Sequence, residues 1–315
     1  MREGVAFPAV FVAALAISVG VLYPRWRARI EQPPPEPPPA VPTAASSQPV
    51  PPPPPPKPPA YVRHDPASAT ACEAGMVLVD GVYCPFVAHR CTKFLIEEGD
   101  VCQSFSSDVL CEGALQRRRY CIDIYEYPNL AGVRPAVMVS YNDARRACAT
   151  EHKRLCASEE WDFACEGPQM WPYPYGNERD PTACSIDKTQ ATPELEAFSD
   201  PRQVASEIER LDQRVGAGEM PNCVSPFGVH DMTGNVDEWV ENRNGTRVEE
   251  PYRSGLKGGA WGPSRARCRP MTTSYDERFS FYQVGFRCCS DARGGGRTIS
   301  RGPRRGPRQE PQDRP

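Results

Sequence analysis

Short stretches of alternating apolar and polar residues, broken by turn residues, run through the middle of this chain. GMVLVDGVYC, from Gly75, carries apolar residues on both sides of Asp80-Gly81 and predicts a hairpin that turns there. YCIDIYEYP, from Tyr120, predicts another strand. Ser140 precedes YNDARRACAT with Asp143 three residues on, a capping-box arrangement that predicts a helix to about Thr150. Ser158 is placed to cap a short helix, EEWDFAC, in which Glu159 and Glu160 sit at the positive end of the dipole. Trp161, Ala164 and Cys165 fall on its inner face. Between Glu178 and Asn222 the pattern weakens to one helix, VASEIERLDQR, among polar loops. WVENRNGTRVEE predicts a hairpin about Asn244-Gly245, and although Asn244-Gly245-Thr246 is also a glycosylation sequon the turn needs no sugar to explain it; Lys257–Trp261 and Gln283–Cys289 supply the last short strands.

The ends of the chain have other patterns. Gly4 to Tyr23 is an apolar run of 20 residues, long enough to span a bilayer, and reads as a membrane anchor or an uncleaved signal. A cleavable signal peptide is the alternative, although no small-x-small site closes the run. Pro33 to Ala60 is proline-rich and favours polyproline II, a stiff spacer reaching on the order of 80 Å. The chain therefore divides into an anchor or signal (1–30), a linker (31–70), a globular domain (71–292) and an Arg/Gly/Pro-rich tail (293–315) expected to be disordered.

Composition adds a compartment. All 14 cysteines lie between Cys72 and Cys289 and none forms a C-x-x-C pair, so a disulfide framework explains them better than zinc. Arg25, Arg27 and Arg29 after the apolar run favour a cytoplasmic location for the domain beyond them, but the cysteines argue for export to an oxidising compartment and carry more weight. The net charge of -3 conceals a tail with seven arginines against Glu310 and Asp313. That tail has no interleaved aromatics, so nucleic acid is not the expected partner.

The densest chemistry lies in PFGVHDMTGNVDEWV, from Pro226. Asp231 and Glu238 offer carboxylate oxygens, and Gly234-Asn235 between them permits a sharp bend that turns carbonyls inward, as a hard cation requires. This loop belongs to an ordered series: VSYNDARRAC, KRLCASEEWDFAC, YPYGN, FGVHDMTGNVDEWV, KGGAW and VGFRC. The series resembles the formylglycine-generating enzyme, or sulfatase-modifying factor, family over roughly Gly75 to Ala292. The resemblance implies a compact α+β fold of short strands, few helices and irregular loops, related to C-type lectins. It implies a structural calcium held by the side chains of Asp231 and Glu238 and the carbonyls of Gly234 and Val236. A second family calcium position falls near Ser185 and Ile186, where a serine replaces the family's amide, and is not expected to be used. The resemblance also implies the disulfides Cys148–Cys288, with Cys289 able to take the place of Cys288, and Cys165–Cys268.

The series breaks where the family does its chemistry. Catalytic members hold one copper between two cysteines after Gly-Gly-Ser, because thiolates suit Cu(I). Counted forward from Gly258-Gly259, the first falls on Pro263, which has no ligand atom, and the second on Cys268. Counted back from Gly285, Cys268 is instead the structural cysteine, and Ala260 stands where the family has serine. Copper is therefore not expected. Iron is not expected either, since His64, His89, His152 and His230 are scattered. Arg265, Arg267, Arg269 and Arg287 are candidates to line an anion pocket, or to pair with the acidic domain. Together these features read as an exported, membrane-tethered binding or envelope-associated module, its partner an unidentified protein or envelope ligand. The rival is an oxidoreductase acting on protein cysteine through Cys268 with Cys288 or Cys289.

Overall fold

The computed structural model describes residues 66–96, 101–263 and 265–294. The apolar run Gly4–Tyr23, the proline-rich stretch Pro33–Ala60 and the tail beyond Gly294 lie outside these residues. Among the described residues no helix is long and apolar enough to cross a membrane.

The domain is α+β. In chain order its first elements are α1 (Pro66–Ala71), β1 (Met76–Tyr83), β2 (Val87–Ala88), β3 (Cys91–Phe94), β4 (Cys102–Phe105), β5 (Leu110–Cys111) and β6 (Gln116–Asp123). Then come α2 (Tyr141–Thr150), β7 (Arg154–Leu155), α3 (Ser158–Glu166), a 3-10 turn at Leu195–Ser199 and α4 (Val204–Leu211). The last are β8 (Asp237–Glu241), β9 (Ser254–Lys257), β10 (Met271–Thr272), β11 (Val284–Phe286) and β12 (Cys288–Asp291). One sheet runs β1-β6-β12-β7 and a second runs β10-β9-β8-β11, while β2 pairs with β5 and β3 with β4.

Asp80-Gly81 is not a turn. β1 continues through it and pairs antiparallel with β6, setting Asp80 opposite Arg119 and Gly81 opposite Arg118. Asp80 instead binds the cross-strand cations Arg117, at 2.6 Å, and Arg119, at 3.4 Å. The glycine answers a packing need, since a Cβ at Gly81 would stand 2.9 Å from the ring of Phe163 on α3. The strand read from Tyr120 therefore starts earlier, at Gln116, to match its partner.

Ser140 caps α2 as its sequence predicts, its Oγ accepting from the Asp143 N–H at 3.2 Å while the Asp143 carboxylate accepts from the Ser140 N–H at 3.2 Å. For α3 the cap differs. Ser158 is already helical, Ala157 is the N-cap residue, and the Glu160 carboxylate reaches back to the Ala157 N–H at 2.9 Å. The hairpin after Trp239 does form, since β8 pairs antiparallel with β9, but its connection is the long segment 242–253. There Asn244-Gly245 is not a left-handed pair, and a Cβ on Gly245 would collide with the Tyr252 carbonyl. The strand expected at Lys257–Trp261 ends at Lys257, because Gly258 and Gly259 both turn into left-handed backbone, at φ 88° and 70°.

Seven disulfides staple the layers: Cys72–Cys121, Cys84–Cys111, Cys91–Cys102, Cys148–Cys288, Cys156–Cys289, Cys165–Cys268 and Cys184–Cys223. This density belongs to an oxidising, extracytoplasmic compartment. The main core lies between the first sheet and α3, around Val79, Ile122, Trp161 and Phe163. A second core joins α2 to the other sheet through Trp239, Leu256 and Phe286.

Candidate functional site

Strand β8 sets out the chemistry. Successive side chains on a strand leave opposite faces, so Glu238 enters the interior while its neighbour Asp237 lines a surface cleft. β11 runs parallel beside β8, with Gly285 opposite Glu238. A Cβ on Gly285 would stand 2.7 Å from the carbonyl of Ala136 in the segment before α2, so the close approach of that segment requires glycine.

On the inner face Arg287 grips Glu238 with two hydrogen bonds. Its Nε and Nη2 donate to the two carboxylate oxygens, each at 2.7 Å, and both side chains are at most 1% exposed. Trp161 Nε1 adds a third donor to Glu238 at 2.9 Å. Arg287 also donates to the carbonyls of His230, at 2.9 Å, and Ile124, at 3.3 Å. Glu238 is thus committed to Arg287, a guanidinium whose charge the carboxylate balances.

Asp231 lies on the same interior side in left-handed backbone, φ 57°, and Gly234 and Asn235 after it occupy the same region. Its Oδ2 accepts from the Gly218 N–H at 2.6 Å, whereas its Oδ1 is buried with no hydrogen-bond partner. Glu126 repeats the arrangement: one oxygen accepts from Asn235 Nδ2 at 3.3 Å and the other, Oε1, is buried and unpaired. Burial pushes the Asp231 carboxyl up to about 6. Burial first, and the charge of Asp231 second, push Glu126 well above the carboxylate range. Gly234 and Val236 are buried in the turn, where a Cβ on Gly234 would collide with the Ser185 carbonyl.

The donor chemistry therefore fits a hard cation on the Asp231 side, where two buried carboxylate oxygens lack a donor, and fits less well at Glu238, whose oxygens already serve Arg287. Among the described residues no group of three or more His, Cys, Asp or Glu converges as metal ligands, so backbone carbonyls would have to complete the shell. Glu126 was not singled out by the sequence. Its one signal there is an acidic residue set between Tyr125 and Tyr127 in a run that reads as a strand.

On the outer face Asp237 accepts from Arg265 Nη2 at 2.7 and 2.5 Å, and from the Gly259 N–H at 3.3 Å. Asp237 and Arg265 border a cleft of about 250 Å³ that Ala260, Pro263, Tyr275, Phe279 and Phe281 also line. Cys268 does not reach into it as a thiol, because it is buried and bonded to Cys165. Cys288 and Cys289 are bonded to Cys148 and Cys156.

The four arginines do not converge on an anion pocket. Arg265 pairs with Asp237, Arg269 with Glu166 and Arg287 with Glu238, while Arg267 lies over the Phe105 ring with 5.3 Å to its centroid. The described histidines are equally separate: His89 bonds the Met170 carbonyl at 2.7 Å and His230 packs on Tyr125 at 5.2 Å. A larger cavity, about 340 Å³, is lined by His152, Lys153, Arg154 and Arg293, but its lysine and arginines are already paired with carboxylates.

Residues 86–292 match the family described as the sulfatase-modifying factor enzyme 1-like domain. The inactive C-alpha-formylglycine-generating enzyme 2 of Bos taurus is 30% identical over 165 residues, covering 50% of this chain and 50% of its own length. Its counterpart in Mus musculus is 28% identical over 165 residues, covering 50% and 49%. The chain spans about half the length of the curated relatives it matches. Among solved structures, PvdO from Pseudomonas aeruginosa aligns over 69% of this chain and 94% of its own, with 17% identity and a TM-score of 0.40. CarF aligns over 69% and 97%, with 13% identity and a TM-score of 0.43.

Proposed function

The chain belongs to the sulfatase-modifying factor enzyme 1-like family, and on that premise we propose that it is a binding domain without copper-dependent formylglycine-generating chemistry. One observation carries the reading: among the described residues no cysteine is free, so no thiolate pair is available to hold Cu(I) beside the cleft. Pro263 and Ala260 line the cleft without offering a side-chain ligand. The inactive designation of the bovine and murine relatives supports the same reading.

The domain is exported and tethered through Gly4–Tyr23, with the proline-rich stretch as spacer, and it presents its cleft to a protein or envelope ligand. A structural calcium completes the interior. Asp231 and Glu126 would hold it with the carbonyls of Gly234 and Val236, and its role would be to neutralise two buried carboxylates rather than to react. In this arrangement Glu238 orients the loop through Arg287.

The rival oxidoreductase requires Cys268, Cys288 or Cys289 as thiols, and hence reduction of bonds that the fold closes. The purified full-length chain, assayed before and after mild reduction with a cysteine-containing peptide, should consume no oxygen and retain no stoichiometric copper or iron. Peptide-dependent oxygen uptake with one bound metal per chain would sink the binding-domain reading.

A further inference from the structure

The cleft beside β8 carries an unusual donor surplus. Gln283 Nε2 and Arg265 Nε are both buried and neither has a hydrogen-bond partner. Both residues line the same cavity, Gln283 leading into β11 and Arg265 two positions after Pro263. A buried donor left unpaired costs about 1 to 3 kcal/mol, so an acceptor placed between them would recover that loss.

Charge narrows the class of acceptor. The guanidinium of Arg265 is already neutralised by Asp237, with both carboxylate oxygens within 2.7 Å of Nη2. An arriving anion would gain little from Arg265 and would meet the Asp237 carboxylate, while an arriving cation would meet Arg265. A neutral carbonyl pays neither cost. Part of the lining is aromatic: Tyr275 and Phe279 stack at 4.0 Å with planes 15° apart, and Phe281 lies 5.9 Å from Phe279. Tyr275 keeps 40% of its surface exposed, so an apolar face remains for a ring to cover. At about 250 Å³ the cavity is smaller than the roughly 300–1,000 Å³ of sites for drug-sized ligands and suits one ring with one polar group.

We propose that this cleft binds a neutral aromatic group bearing a carbonyl acceptor, its ring against Tyr275 and Phe279 and its oxygen between Arg265 and Gln283. The same chemistry can come from a free aromatic amide or from an aromatic residue of a protein partner with its peptide carbonyl. This inference rests on reading the chain as a binding domain.

The test is a probe series on the full-length, disulfide-intact chain, monitored by NMR shifts of the Gln283 side-chain amide and the Tyr275 ring. Benzamide represents the free amide and N-acetylphenylalaninamide the peptide source. Benzoate and benzylammonium are the charged controls. Saturable binding of benzamide, of N-acetylphenylalaninamide or of both is expected, with the two charged probes weaker by roughly tenfold. Tighter binding of N-acetylphenylalaninamide than of benzamide assigns the site to a protein partner, and the reverse order to a free amide. Gln283→Leu should weaken the neutral probes by about fivefold, the loss of one hydrogen bond. Arg265→Lys, which keeps the charge opposite Asp237 but lacks Nε, should do the same. Should a variant fail to fold, the order of the four probes on the unaltered chain decides the matter. Benzoate binding as well as benzamide, or no saturable shift with either neutral probe, overturns the proposal. Oxygen uptake in the peptide assay would instead overturn the underlying reading, so the two failures are distinct.

Discussion

Arg287 ties several segments of the interior together, because it joins Glu238 to the carbonyls of His230 and Ile124. Arg287→Met should destabilise the domain by about 3 to 5 kcal/mol, since it strands a buried carboxylate, and the double variant with Glu238→Gln should recover much of that in thermal unfolding. A cation on the Asp231 side has a separate signature. Calcium at a hundredfold excess over its Kd should add about 2.7 kcal/mol of stability, and both Asp231→Asn and Glu126→Gln should abolish the increment that chelator removes. His89 supplies a pH dependence, for burial, assisted by Arg269 and Arg267, holds its imidazole below the ordinary range. The unfolded ring takes up a proton near 6.5, about where free histidine titrates, and the folded ring only at lower pH. Acidification through that window therefore favours unfolding, and His89→Gln should show a smaller loss of Tm between neutral and mildly acid pH. Asp231 and Glu238 stand out in the sequence because one short loop holds both, although in the fold Glu238 serves Arg287. Glu126 does not stand out, because 105 residues separate it from Asp231 and only the fold sets it where the Asp231 charge acts on it.

At the level of elements, local chemistry read well where a side chain and the backbone settle the matter between themselves. Ser140 and Asp143 do so at the start of α2, and Ser140→Ala should cost about 1 kcal/mol in denaturant unfolding. Reading failed where a distant partner decides. Asp80-Gly81 has the residues of a tight turn, yet β6 and α3 hold it extended, one through ion pairs and the other through the ring of Phe163. Gly81→Val should therefore destabilise by about 1 to 3 kcal/mol through overpacking, although valine favours strands, and Phe163→Leu in the same chain should relieve part of the cost. Asn244-Gly245 misled for a related reason, since the Tyr252 carbonyl closes over the glycine and extends the connection to 242–253.

The whole molecule depends on covalent ties more than on regular structure, its strands being short and its sheets small. Cys165–Cys268 closes a separation of 103 residues, and replacing both with alanine should cost about 4.7 kcal/mol if unfolded-chain entropy dominates. The family, and with it the α+β class, was legible from six ordered motifs, whereas the partners of the other ten cysteines were not, because pairing depends on positions that only the fold defines. Orientation is open to a direct check: a reporter fused after Pro315 should be active outside the cytoplasm, and activity confined to the cytoplasm would refute export. The adjacent cysteines at the start of β12 set a schedule for the nascent chain. Cys91 and Cys102 are 11 residues apart and can join as soon as both reach an oxidising compartment, but Cys148 and Cys156 must wait for Cys288 and Cys289, 140 and 133 residues later. A chain halted before Arg287 therefore leaves two thiols without their partners, so oxidation itself distinguishes a finished domain from an unfinished one.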